Sequence, residues 1–410
     1  MHLTSLPTVN DRNTEATRFS TFRRIAIAVG AACIAATSPG ASAHDGDLGP
    51  FVVGEQGVLY DGGVYDDPAN PTTMSGQMHV FYQIPSGYDW GRRGSAGRPP
   101  IVMIHGSQQT GANFLGTPDG RPGWVAFFVS HGWPVYVIDQ PGRGKSGYFP
   151  NAYGPQAANP SPTTVIRLFT APELSNPLQW PQAALHTQWP GGYGSGVPGQ
   201  YAFDQFFASQ VANMPNGNQA LALTTAAVTQ LLNKIGPAVI ITHSMSGPVS
   251  WMIPQANPGK IKAIIAVEPT GNSSLNGDTA PGTACGLSNV CLNFTPAVTG
   301  PADLGLTKVP PPNASLKSCW LQSEPAHKLP WLNGIPILIA TGEASYHATY
   351  DYCTSKFLTQ AGVKNDWVYL PTVGLHGNGH MEMLEMNNLE IARFSERWLA
   401  NSLRPHRGDD

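Results

Sequence analysis

Val239-Ile240-Ile241-Thr242-His243-Ser244-Met245-Ser246-Gly247-Pro248 is the stretch that decides how this chain is read. Three consecutive aliphatic residues suit a strand buried on both faces. Small residues follow at once, and the segment through Trp251 suits a short helix. A strand that turns this sharply into a helix projects the Ser244 hydroxyl above the strand end. It also leaves the Met245 N–H unpaired at a helix N-terminus. A serine here can equally serve as a plain helix N-cap, so the rest of the chain must decide.

Moving outward, the same grammar repeats. Phe51-Val52-Val53 and Gln77 to Ile84 are expected as early strands, separated by a Gly/Asp turn region at 61–67. Ile101-Val102-Met103-Ile104 and Val135-Tyr136-Val137-Ile138 are buried strands around a helix near Trp124 to Ser130. After Ser244, strands are expected at Ile261 to Val267, Pro336 to Ala340 and Trp367 to Leu370. Helices are expected over Asn218 to Lys234, Lys356 to Ala361 and 386–401. Strand–helix–strand repetition implies right-handed crossovers. The expected fold class is therefore α/β, a mostly parallel central sheet with helices on both faces. Residues 148–216 interrupt the rhythm with Pro, Gly, Gln and aromatics such as Trp180, Trp189, Tyr193, Tyr201, Phe203, Phe206 and Phe207. That segment is expected to be a partly helical, aromatic-rich cap on the sheet's rim, whose rings wall an apolar pocket.

Composition excludes other classes. Of 410 residues, 41% are apolar and 12% charged, with 45 Gly and 38 Pro. A charge-driven disordered chain or a coiled coil needs more charge or fewer breakers. The formal net charge is −3, and no basic run is present. Nucleic acid is not an expected partner.

Arg23-Arg24, the apolar run Ile25 to Ala36 and Ala41-Ser42-Ala43 have the layout of a secretory signal. The run is shorter than the roughly 20 residues of a membrane span. Cleavage is expected after Ala43, leaving 19 basic and 24 acidic residues. Periplasmic or secreted localisation follows. Four cysteines then remain, and an even count in an exported chain implies two disulfides. Cys285–Cys291 and Cys319–Cys353 are favoured among three connectivities, because the first closes a short local loop. Spacing for a zinc site is absent from the sequence. Expected organisation is a signal at 1–43, core halves at 44–149 and 217–402, a cap at 150–216 and a tail at 403–410.

Ligands of a parallel sheet gather beyond the carboxyl ends of its strands. The expected strands end at His105-Gly106-Ser107, Asp139, His243-Ser244-Met245, Glu268, Gly342-Glu343 and, past the last one, His376 and His380. A serine, a carboxylate and a histidine in that chain order have the makings of nucleophilic catalysis. His380 is the preferred base, with His376 as competitor. Glu268 is the preferred acid, because it ends the strand after the nucleophile's strand and neighbouring strands lie about 4.8 Å apart. Glu343 is the alternate. Met245 N–H and Ser107 N–H, or Gln108 N–H in its place, would bind an oxyanion. Gly144-Lys145-Ser146 lacks the upstream glycine of a phosphate loop.

Taken together, these residues resemble the bacterial esterase 713 group of α/β-hydrolases. The likeness rests on Phe51-Val52-Val53-Gly54, Gln77 to Pro85, Glu268 at its strand end, and Gly377-Asn378-Gly379-His380-Met381 with Asn387-Asn388-Leu389. It spans most of 48–402 and is weakest over 150–216. Gly379-His380 with Glu385 five residues on is similar to the surroundings of many hydrolase histidines. The sequence departs from the usual G-x-S-x-G at Thr242 and Ser246. It also carries Ser345 where such enzymes often place their acid. The resemblance implies a Ser244–Glu268–His380 triad cleaving carboxylic esters, with no cofactor or metal. Expected partners are a small ester with apolar or aromatic groups and, as an assembly, a homodimer. The alternatives are amide, lactone or lyase chemistry on the same fold, or an exported binding module without catalysis.

Overall fold

A computed structural model describes residues 48–91, 98–270 and 285–404. The expected signal at 1–43 and residues 405–410 of the tail lie outside the described residues. The strands are β1 (Val53–Tyr65), β2 (Met74–Pro85), β3 (Ile101–Ile104), β4 (Val135–Asp139), β5 (Ala238–His243) and β6 (Ile261–Val267). Then come β7 (Thr307–Val309), β8 (Cys319–Leu321), β9 (Ile337–Thr341) and β10 (Asp366–Tyr369). Eight form one sheet in the order β1-β2-β4-β3-β5-β6-β9-β10, and β7 pairs with β8 separately. β2 is antiparallel to both β1 and β4, while the remaining pairs of the large sheet are parallel.

Period-2 alternation assigns each strand's side chains to two cores. Val102, Ile104, Ile240, Ile264 and Ile339 pack with Val228 and Leu231 of the helix Gly217–Ile235, Trp251 of Gly247–Ala256 and Phe357 of Asp351–Gln360. Ile101, Met103, Val239, Ile241 and Ile265 point the other way, onto Trp124 and Phe128 of Trp124–Ser130 and Ile391 and Leu399 of Asn388–Ser402. Both faces are covered, so β3, β5 and β9 are buried throughout. Each fully buried large apolar side chain contributes about 1.5–3 kcal/mol. The helix Gly217–Ile235 begins where the Asn216 side chain accepts Gln219 N–H and stops at Gly236, φ +79°.

The amino-terminal hairpin differs from the expectation. β1 runs on through Tyr65, and the Gly/Asp region lies largely inside it rather than between strands. Asp61 and Gly62 stay paired with Met78 and Gln77. The helix Gly217–Ile235 supports them, since Gln230 Oε1 accepts Gly62 N–H and Lys234 pairs with Asp61. The turn falls instead where the Asp66 carboxylate accepts the N–H groups of Thr72 and Thr73. The later helix also starts earlier than expected, at Asp351.

Residues 150–216 carry short helical pieces, among them Pro150–Tyr153, Pro162–Val165 and Tyr201–Ala208, and no strand. Trp189, Phe203 and Phe206 are buried in the second core. Tyr193 and Tyr201 are exposed. The expected wall of rings is therefore divided between core and surface. Cys285 and Cys291 are disulfide-bonded with their Cα atoms 4.9 Å apart, as are Cys319 and Cys353 at 5.2 Å.

Candidate active site

β5 ends at His243, in register with Val267 of β6, so Ser244 and Glu268 sit side by side one residue later. Both backbones are left-handed, Ser244 at φ +53° and Glu268 at φ +42°. Such φ values are costly for a residue with a Cβ and mark places where the surrounding structure dictates direction. The turn at Ser244 is held from several sides. Gly247 allows Pro269 to come close: a Cβ there would lie 2.7 Å from Pro269 Cβ. Thr242 Oγ1 bonds Ser250 Oγ at 2.6 Å. The Ser246 hydroxyl bridges Ile104 O at 3.0 Å and His243 O at 2.9 Å. The two departures from glycine are thus absorbed by buried hydroxyl bonds that tie the turn to β3 and the helix Gly247–Ala256.

Glu268 accepts Gly342 N–H (2.8 Å) on one oxygen. Its other oxygen takes Ser345 Oγ (2.6 Å) and His380 Nδ1. Ser345, standing where an acid is common, therefore supports the carboxylate of the neighbouring strand. Burial pushes the Glu268 carboxyl well above its ordinary value, with the charges of Glu382 and Asp351 adding to it. Burial also holds the His380 imidazole well below 6.5, helped by His243 and His347. The His380 imidazole is consequently neutral at neutral pH. His243 Nε2 bonds His380 O at 2.9 Å and fixes the backbone of that loop.

Nε2 of His380 meets the hydroxyl of Tyr346 at 3.3 Å. Tyr346 also engages the Ser244 side chain. Among the described residues, no hydrogen bond joins Ser244 directly to His380. The His380 ring is flanked by Phe169 of the cap (centroids 5.3 Å) and by His347 (4.8 Å). Trp180, also of the cap, meets the Tyr346 ring edge-on at 5.9 Å. Ser244 keeps 6% of its surface and His380 1%.

The alternates go elsewhere. His376 pairs with Glu343 (3.3 Å) on the surface, and Glu343 also accepts Gly377 N–H (2.7 Å). Neither reaches Ser244, Glu268 or His380 by any hydrogen bond described. Of the two candidate donors after β3, Gln108 N–H is spent on Asn213 Oδ1 (2.8 Å). Ser107 N–H has no acceptor among the described residues. Gly106 O, on the same peptide unit, accepts Arg143 Nη1 (2.9 Å) and contacts His105 Nδ1 (3.0 Å). In a planar trans peptide the N–H then points the opposite way. A Cβ on Gly106 would fall 3.0 Å from Ser244 Cβ, so the two turns are in contact.

Several groups were not legible in the sequence: Tyr346, Asn213, Arg143 and the buried His347–Asp351 pair (2.8 Å). No motif announces them. A further cluster ties the cap to the core: His186 lies between Glu173 (2.8 Å) and Glu385 (3.0 Å), and Glu385 also accepts Gly379 N–H next to His380. Burial alone would lower the His186 pKa, but the hydrogen bonds its ring nitrogens make to both carboxylates raise it to about 9. Donor atoms of Glu268, His347 and His380 lie within 4.8 Å of one another, a spacing open to a metal ion. Both imidazole Nδ1 atoms are already committed to carboxylates. A cleft of about 290 Å³ lined by Asn113, Thr117, Tyr201, Gln205 and Leu384 includes none of Ser244, Glu268 or His380. No helix among the described residues is long and apolar enough to cross a membrane.

No family model matches the chain. A protein of Fungal sp. (strain ATCC 74256), named as a probable secreted lipase phiG, is 41% identical over 310 residues, covering 73% of this chain and 81% of that one. The solved structure of a novel bacterial esterase is 23% identical and covers 87% of this chain and 99% of its own, with a TM-score of 0.57. That likeness concerns the fold. The identity to the fungal protein places the chain in that protein's family, and its eight-stranded sheet and the turn at its fifth strand give it an α/β-hydrolase fold.

Proposed function

We propose that the protein is an exported serine esterase that cleaves carboxylic esters through an acyl-enzyme. Ser244 is the nucleophile, His380 its base, and Glu268 holds the imidazole in the tautomer that leaves Nε2 able to take a proton. Met245 N–H and Ser107 N–H bind the developing oxyanion. One observation carries this reading: a left-handed Ser244 at the end of β5 stands beside a buried Glu268 bonded to His380, across two neighbouring strand ends. The commitment of Gln108 N–H to Asn213 supports Ser107 as the second donor. Phe169 and Trp180 favour an ester with apolar or aromatic groups. Export is supported by the amino-terminal signal pattern, the two disulfides and the secreted status in the fungal relative's name. Residues 44–149 and 217–402 then form the two core halves and 150–216 the cap.

The test pairs Ser244→Ala with fluorophosphonate labelling, using p-nitrophenyl esters of graded acyl length. Loss of at least a thousandfold in kcat is expected. Labelling should reside on Ser244 in the parent protein. Turnover by Ser244→Ala at the parent rate overturns the reading.

A further inference from the structure

The Tyr346 hydroxyl occupies the position between nucleophile and base. Tyr346 opens the short helical turn Tyr346–Thr349, anchored by Ser345 Oγ, which accepts His347 N–H (3.1 Å) while its own proton goes to Glu268. The phenol thus hangs from the same support that holds the acid. Its oxygen lies 3.3 Å from His380 Nε2 and engages Ser244. Nδ1 of His380 faces the Glu268 carboxylate, so Nε2 presents a lone pair and the Tyr346 O–H is the donor in that contact. Burial pushes this phenol far above its ordinary value, so it stays an intact O–H donor at neutral pH.

We infer that Tyr346 is a further catalytic residue, one that relays the proton from Ser244 to His380. This rests on the esterase reading above. As Ser244 Oγ bonds to the ester carbonyl carbon, its O–H bond breaks and that proton binds the Tyr346 oxygen. The original Tyr346 O–H breaks at the same time and its proton binds His380 Nε2, giving the imidazolium that Glu268 stabilises. Tyr346 ends neutral, so the step needs no other reactant. The carbonyl π electrons become the oxyanion facing Met245 and Ser107. His380 then returns a proton to the departing alcohol. Phe169 against the His380 ring and Trp180 against the Tyr346 ring shield the pair from bulk water.

Tyr346→Phe removes one oxygen and keeps the ring contacts with Trp180 and His347. The expected result is a fall in kcat of roughly 10–100-fold with KM nearly unchanged, in the range of a lost proton-transfer partner. The proton inventory of kcat in mixed H₂O and D₂O should change from the curvature of two moving protons to the line of one. A purely structural role moves neither curvature nor the kcat-to-KM pattern. Incorporating 3,5-difluorotyrosine at position 346 keeps the hydroxyl and acidifies it, and kcat should then change with the inventory still curved. Parent kcat and parent curvature in both variants overturn the relay. If Ser244→Ala is inactive while Tyr346→Phe is fully active, only the relay falls. Activity in Ser244→Ala removes the esterase reading itself.

Discussion

Glu268→Gln replaces one acceptor oxygen with a donor NH₂ group. Glu268 serves three donors: Gly342 N–H on one oxygen, and Ser345 Oγ with His380 Nδ1 on the other. An amide has a single acceptor oxygen. If that oxygen faces His380, the amide NH₂ opposes Gly342 N–H. If the NH₂ faces His380, two N–H donors meet, and the imidazole must shift its proton to Nε2, where it can no longer accept one. Both outcomes leave a buried polar group unsatisfied, at about 1–3 kcal/mol. The second also removes the productive tautomer, for which losses near ten-thousandfold are known in serine proteases. The expected fall in kcat is therefore about 10³–10⁴-fold, or about 4–5 kcal/mol of transition-state stabilisation. The assay is kcat and KM on a short-chain p-nitrophenyl ester, with circular dichroism to verify the fold. Glu343→Gln is the control, since Glu343 contacts only His376, Gly377 and Tyr369 by the bonds described. A Glu268→Gln enzyme within tenfold of the parent, with Glu343→Gln crippled, refutes the assignment.

Three other perturbations address the supports of the site. Gly106→Ala would put a Cβ 2.8 Å from His243 Nδ1 and 3.0 Å from Ser244 Cβ, so kcat/KM should fall more than tenfold while the fold persists; parent-level turnover would show that the turn yields. His186, raised from 6.5 to about 9, contributes stability that is fully present below pH 6.5 and lost as pH rises through about 9. That shift corresponds to about 3 kcal/mol for the link between Glu173 and Glu385. Residues 150–216 should accordingly become cleavable by protease above pH 9 before the core unfolds, and equal protection at pH 7 and 10 would contradict this. Removing Cys319–Cys353, a closure of 34 residues, should lower unfolding free energy in urea by about 4 kcal/mol. A change below 1 kcal/mol would show that the unfolded chain is barely constrained by it.

Much of the fold was readable in one dimension. Buried parallel strands must be apolar on both faces, so β3, β4, β5 and the Ala263 to Val267 part of β6 appear as mostly apolar runs, and the helix Gly217–Ile235 carries its own cap and stop. The hairpin departs from the expectation because glycine and aspartate signal a turn locally, whereas Gln230 and Lys234, more than 160 positions away, keep β1 extended. The cap followed no periodicity, and composition alone could not say which of its rings join the core.

For the site, sequence by itself determined the ingredients: Ser244 at a turn, acids and histidines at strand ends, in a workable order. Where each of them lies depends on packing between distant segments. The register of β5 with β6 places Glu268 beside Ser244, while the loop after β10 carries His380 inward and leaves His376 against Glu343. Asn213 takes Gln108 N–H, the Tyr346 hydroxyl meets His380 Nε2, and His186 bridges carboxylates from two segments. Hydrogen bonds of this kind depend on ångström-scale distances between segments far apart in the chain, and local residue patterns carry no record of them.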